Sequence, residues 1–287
     1  MPEVLAHPKY PTFEVANQNE RMNSTPPARD DTSKPWYATW FDTEYYRLLY
    51  RHRNESEAAS FLQRLLHYLN LPSQARILDL ACGRGRHTRI MAQHGYRVVG
   101  IDIAANALQE AQRQASPNEQ YILHDMRHPL PQGPYDLICN LFTSFGYFDS
   151  DDEDQQVFYH IAAALKPQGD FIIDYLNADY TTAHLRPYET RQENGVQFHI
   201  HRQRTPTHII KTIRCVDPSG NEQTFYERVR LYTVEDFHRM AHKAGLTPLS
   251  HFGDYHLRAF HPKCSPRIIV HFRKNDGQHR GATDAMG

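Results

Sequence analysis

Several things are scarce in this 287-residue chain, and each scarcity removes a class of function. Its four cysteines, Cys82, Cys139, Cys215 and Cys264, lie far apart with no Cys-x-x-Cys pair, so neither a zinc knuckle nor a disulfide framework is supported. They read as reduced thiols. Net charge is almost nil, with 32 Lys and Arg against 33 Asp and Glu, so no global field exists for gripping a phosphate backbone or an anionic membrane. No apolar run approaches the roughly 20 residues that span a bilayer. The first 30 residues carry Pro, Asn, Asp and Glu where a secretory leader would be apolar, so the expected location is the cytoplasm.

What is present suits one α/β domain. Residues 1–34 hold Pro2, Pro8, Pro11, Pro26 and Pro27 among polar residues without apolar periodicity and are expected to form a disordered tail; 275–287 are expected to be a second. The domain then occupies 35–274. From Trp36 to Asn70, Tyr46, Leu49 and Tyr50, then Phe61, Leu62, Leu65, Leu66 and Leu69, recur at helical spacing, which predicts two amphipathic helices within 40–70. Short apolar runs at 76–80, 97–102, 120–124, 135–140 and 170–175 alternate with helical segments, the signature of a parallel sheet. Beyond Leu185 the rhythm changes to alternating runs at 196–204, 208–216 and 222–231, joined by Thr205-Pro206-Thr207 and Asp217-Pro218-Ser219-Gly220-Asn221. Such turns join antiparallel strands, so a cap over about 190–232 is expected after strand five. A helix from about Val234 ends at Gly245, and strands near 246–253 and 267–273 close the domain.

The central motif is Ile77-Leu78-Asp79-Leu80-Ala81-Cys82-Gly83-Arg84-Gly85-Arg86-His87, a strand running through a glycine-containing loop into a helix. Gly83 and Gly85 allow a sharp bend and close approach of a ligand, and the helix start presents free N–H groups. A pyrophosphate would meet the negative charge of Asp79 at the strand end; a cationic ligand would be attracted. Glycine is missing from the third position of a dinucleotide fingerprint, where Thr88 stands.

This segment resembles motif I of class I S-adenosylmethionine-dependent methyltransferases. The resemblance extends to Asp102, which ends the second strand and would accept from both ribose hydroxyls, with Ile103 packing on adenine. Asp125 matches the acid that accepts from the adenine amino group, with Met126 beside the ring. It implies a doubly wound, Rossmann-like seven-stranded sheet of order 3-2-1-4-5-7-6 and S-adenosyl-L-methionine as cofactor, leaving S-adenosyl-L-homocysteine as product. Within the family, the branch most similar to this chain methylates amino sugars or glycine on nitrogen. Asp79, Ala81, Gly83, Gly85, His87 and Asn140 complete the implied cofactor loop, and Tyr46, Tyr50 and Arg53 would close over the methionine moiety. The segment Asn140-Leu141-Phe142-Thr143-Ser144-Phe145-Gly146-Tyr147-Phe148 resembles the stretch that opens into the acceptor cavity. Phe142, Ser144, Tyr147, Glu227, Arg228 and Tyr255 are the substrate candidates by position, with Tyr147 or His256 as candidate bases.

Each feature has a plainer reading. Asp102 also suits a helix N-cap, and Cys82 a buried, inert thiol. His199 with His201, and His238 with His242, have no Cys or acid at matching spacing, so no metal is expected. Residues 197–230 carry six Lys and Arg against three acids, which suits either an anionic acceptor or a solvated strand face. A small-molecule substrate, without nucleic acid or membrane partners, and a monomer or homodimer are expected. An RNA or protein acceptor is the alternative, although no Asn-Pro-Pro-Tyr-like tetrapeptide follows strand four; a non-catalytic cofactor-binding protein is another.

Overall fold

The computed structural model describes residues 35–51 and 55–276. Seven strands form the main sheet: β1 (Arg76–Leu80), β2 (Arg97–Asp102), β3 (Glu119–Leu123), β4 (Tyr135–Asn140), β5 (Leu165–Leu176), β10 (Leu246–Phe252) and β11 (Arg267–Lys274). Their order is β10-β11-β5-β4-β1-β2-β3, with β1 to β5 parallel and β11 antiparallel to both neighbours. Numbered within this sheet alone, that is the expected 3-2-1-4-5-7-6. Strand β5 starts at Leu165, ahead of the expected 170, and the register against β4 shifts between Tyr135 and Leu137.

Successive side chains of a strand point to opposite faces, and both faces of the central strands are covered, so these strands are largely apolar. One face buries Ile77, Val98, Leu137 and Ile172 against α3 (Glu55–Leu69) and α4 (Arg86–Gln93). The other buries Leu78, Val99, Ile138 and Ile173 against α6 (Asp151–Ala164) and α8 (Val234–Lys243). Ala58, Phe61, Leu62, Leu65 and Leu66 make the buried stripe of α3. Each fully buried Phe or Leu contributes roughly 1.5–3 kcal/mol, so this stripe alone anchors the helix. Acids Asp151 to Asp154 open α6, where Ser150 and Glu153 form a capping box and complement the helix dipole.

The segment 36–49 forms two short helices where one was expected: α1 (Trp36–Trp40) and α2 (Glu44–Leu49). Thr43 separates them, because its hydroxyl accepts from the Tyr46 N–H and caps the second. With α3, the N-terminal portion therefore carries three helices.

After β5 and the short α7 (Ala178–Ala183), four strands form an antiparallel meander: β6 (Tyr188–Glu193), β7 (Val196–Arg204), β8 (His208–Val216) and β9 (Glu222–Arg230). The first of these was not anticipated. Asn194 and Gly195, with φ of 50° and 81°, turn it into β7 as a two-residue hairpin. The inner face divides along its length. Val196, Phe198, Ile200, Ile213 and Cys215 pack against Trp40, Leu48 and Leu49, while Arg202, Ile209, Lys211, Glu227 and Val229 roof a cavity. Helix α5 (Ala105–Arg113) flanks β3. Among the described residues, no helix is long and apolar enough to cross a membrane.

Candidate functional site

The C-terminal ends of β1, β2 and β4 open into one cavity of about 1000 Å³, closed on its far side by α1, α2 and the cap sheet. In an open α/β sheet this is where strand order reverses and where ligands bind.

The loop after β1 forms its floor. Ala81, Gly83 and Gly85 have φ of 64°, 54° and 73°, so the chain turns through the left-handed region three times in five residues. A Cβ on Gly83 would meet no heavy atom within 4 Å, which leaves room for a ligand to approach. Gly85 differs. A Cβ there would stand 2.2 Å from the Tyr121 hydroxyl, so that glycine serves packing and is absent from the cavity wall.

The three motif carboxylates separate in role. Asp102 lies in the wall; one oxygen accepts from the Gly83 N–H and the other from the Ala104 N–H, both at 2.8 Å. It therefore fixes the loop as well as facing the cavity, and burial raises its pKa. The N-cap of α5 is Ala104, without a side-chain cap. Asp125 is also in the wall, and Ile103 and Met126 provide apolar surface beside it. Asp79 is not in the wall. It is 1% exposed beneath the loop, where it accepts from the Thr88 hydroxyl at 2.6 Å; burial, outweighing that bond, pushes its pKa up to about 6.

Of the remaining candidates, Ala81, His87, Tyr46, Tyr50, Phe142, Ser144, Tyr147 and Glu227 line the cavity. Asn140 lies behind it, donating to the carbonyls of Leu80 and Ser144 and thereby joining the loops after β1 and β4. Tyr147 donates to the Thr143 carbonyl and packs on Trp36 at 5.2 Å. Besides Asp79, Gly85 and Asn140, three more candidates do not line the cavity. His256 is exposed and stands outside the cavity wall, its backbone N–H donating to Asp254. Arg228 turns outward to Asp149 and the Phe148 carbonyl. Tyr255 donates to Asp174 beneath Phe142, in a separate small recess. Arg53 lies outside the described residues.

Two sets of contacts were not anticipated, although Phe142, Tyr50 and Glu227 among them were site candidates. Phe142 and Thr143 have φ of 65° and 61°, unusual for residues with side chains, and Asp174 holds them: its carboxylate accepts from the Phe142 N–H and its carbonyl from the Thr143 N–H. Arg267 of β11 pairs with Asp174 at 2.7 Å, donates to the Thr143 hydroxyl and lines the cavity. An acid inside the apolar run of β5 was the available signal. The second set joins α1 and α2 to the cap sheet. Buried Glu227 accepts from Trp40 Nε1 and Tyr50 at 2.8 Å and from Lys211 at 2.6 Å, and the lysine charge and these donors hold its pKa down against burial.

Burial pushes the Cys82 thiol well up, in keeping with an inert role. His238 contacts His251 at 2.6 Å rather than His242, and His201 stacks on Tyr188. No cluster of three or more metal-ligating side chains occurs among the described residues.

Comparison with known proteins agrees with this geometry. The profile of the methyltransferase domain family matches residues 50–251. YqeM of Bacillus subtilis, named as a methyltransferase, is 30% identical over 124 residues, 42% of this chain and 50% of its own length. The chain thus spans about half the length of that relative. The dTDP-3-amino-3,6-dideoxy-alpha-D-glucopyranose N,N-dimethyltransferase of Streptomyces fradiae is 25% identical over 206 residues, covering 68% of this chain and 77% of that one. An S-adenosylmethionine-dependent methyltransferase from Clostridium acetobutylicum superposes with a TM-score of 0.69 at 19% identity, covering 81% of this chain and 96% of its own. With the sheet order, the glycine loop and the family match over most of its length, the chain belongs to the class I S-adenosylmethionine-dependent methyltransferases.

Proposed function

We propose that this protein transfers the methyl group of S-adenosylmethionine to a nitrogen or oxygen atom of a small molecule. The observation that carries the reading is a single cavity lined by two chemically different sets of side chains. Asp102, Asp125, Ile103 and Met126, with the open space over Gly83, make a donor-accepting and apolar set suited to adenosine. Asp102 would accept from the ribose hydroxyls and Asp125 from the adenine amino group, while Asp79 adds negative charge from beneath. Tyr147, Arg267 and the cap residues Arg202, Lys211 and Glu227 line the same cavity and make a polar set suited to an acceptor. A volume of about 1000 Å³ is at the upper end of small-ligand sites, enough for cofactor and acceptor together.

The cofactor, when bound, supplies a methyl group already activated on a sulfonium. The protein's part is alignment and exclusion of water, so no nucleophilic side chain is needed. Tyr147 stands as the candidate to hold or receive a proton of the acceptor. Of the six cap cations, Arg202 and Lys211 line the cavity, each paired with an acid, Glu189 and Glu227 respectively, so the cap offers the acceptor polar partners of both signs. An amine on a sugar nucleotide, as named for the Streptomyces fradiae relative, is an acceptor class such a lining can hold.

Incubating the protein with methyl-labelled S-adenosylmethionine and separate small-metabolite, RNA and protein fractions tests the reading. Label is expected in the small-metabolite fraction. Label confined to RNA or protein would favour the macromolecular alternative, and label in none of them a binding protein.

A further inference from the structure

We infer that Asp42 is a latch, a positioning residue whose hold on α5 breaks each time S-adenosylmethionine or S-adenosylhomocysteine enters or leaves the cavity, an inference that rests on the cofactor reading above. Asp42 stands in the turn between α1 and α2. Its Oδ1 accepts from the backbone N–H groups of Asn106 at 2.7 Å and Ala107 at 3.3 Å, and its Oδ2 from Asn106 Nδ2 at 3.0 Å. Those two N–H groups, at the second and third positions of α5, are the ones a helix-capping side chain ordinarily satisfies. Ala104, at the cap position of α5, makes no such bond, and the first turn carries no acid. The cap is supplied instead by a residue 64 positions away.

The helix start so fastened belongs to the cofactor wall. Asp102, Ile103, Ala104 and Ala107 all line the cavity, and Asp102 accepts from the Ala104 N–H while it holds the Gly83 N–H. On the other side of the latch, Trp36, Phe41 and Tyr46 line the same cavity. The α1–α2 segment is anchored unequally. Trp40, Leu48 and Leu49 are buried against Phe198, Ile200, Ile213 and Cys215 of the cap sheet, and Trp40 Nε1 and Tyr50 donate to buried Glu227. The bonds from Asn106 to Asp42 are exposed, and there a hydrogen bond exchanges readily for one to water. Both helices are therefore rooted in the cap sheet, and the turn that reaches across to α5 is the fastening that gives way first. Opening there parts Phe41 and Tyr46 from Asp102, Ile103 and Ala104 while the buried anchor stays in place.

The chain has two tryptophans, Trp36 and Trp40, and both lie in α1, so intrinsic fluorescence reports on this segment directly. Stopped-flow mixing with S-adenosylhomocysteine, with the dissociation constant taken from calorimetry, compares the wild type with Asp42→Ala. In the wild type the association rate is expected to level off at high ligand concentration, at the rate of opening. In the variant that plateau and the release rate should both rise by about 3- to 30-fold, the size of a lost helix cap. The dissociation constant should change by less than about threefold, because the latch is lost from the free and the bound protein alike. A wild-type rate that climbs linearly without a plateau overturns the inference, and so do unchanged rates in the variant. Faster release with weaker affinity and unaltered association also overturns it, since that is what simple damage to the α5 side of the site gives. If the wild type does not bind S-adenosylhomocysteine, the cofactor reading falls too; in any other failure that reading stands. Should Asp42→Ala not fold, Asp42→Asn, which keeps an acceptor oxygen and loses the charge, should raise both rates by a smaller factor, and the same outcomes overturn the inference.

Discussion

At the scale of single residues, the three motif acids show why equal spacing does not mean equal duty. Asp102 and Asp125 reach the cavity, whereas Asp79 is sealed under the loop with Thr88 as its hydrogen-bond partner. A carboxyl whose pKa is about 6 in the fold and about 3.9 in the unfolded chain binds a proton more readily when folded. Stability from this group is therefore greatest below about pH 4 and declines as pH rises to about 6, where the buried carboxylate ionises. Asp79→Asn, which keeps the shape and removes the titration, should be more stable than the wild type above pH 6 by up to roughly 3 kcal/mol. The difference should vanish below about pH 4. Urea midpoints at pH 4 and pH 8 measure it, and a constant difference would mean that the charge is compensated.

At the scale of elements, the joint between α1, α2 and the cap sheet determines whether the cavity has a roof. Glu227 takes hydrogen bonds from Trp40 of α1, Tyr50 at the end of α2 and Lys211 of β8. Glu227→Ala leaves the Lys211 ammonium without its counter-charge and should cost about 3–5 kcal/mol in chemical denaturation. Replacing both partners, as Lys211→Met with Glu227→Leu, should restore much of that. A loss below about 0.5 kcal/mol for Glu227→Ala, the level of an ordinary surface change, would show the joint to be dispensable.

The parallel strands were legible because both faces are covered and the runs are apolar, and the cap strands β7 to β9 because their turns carry Pro, Gly and Asp. Strand β6 escaped notice since Tyr188–Glu193 is polar and mostly exposed or half-buried, although Asn194-Gly195 was a hairpin signal in plain view. The break between α1 and α2 was hidden because their aromatic spacing runs on across Thr43. Asp174 and Arg267 were missed for another reason. They act through contacts across 32 to 124 residues, such as Asp174 with Phe142 and Arg267 with Thr143, and no local spacing announces these. His256, Arg228 and Tyr255 were placed by position in the chain, and they stand outside the cavity wall.

At the scale of the whole molecule, the sheet brings residues from three strand ends under a roof made by a later segment, so one cavity can serve two ligands. Anything that binds the folded state alone should raise its melting temperature in proportion to the logarithm of its concentration. The most direct measurement is calorimetric titration of S-adenosylmethionine into the wild type and into Asp102→Ala. The account predicts micromolar binding by the wild type and a loss of roughly 1–3 kcal/mol in the variant, from the charged hydrogen bonds to the ribose. Equal affinity in both proteins, or tight binding of NAD in place of S-adenosylmethionine, would contradict it.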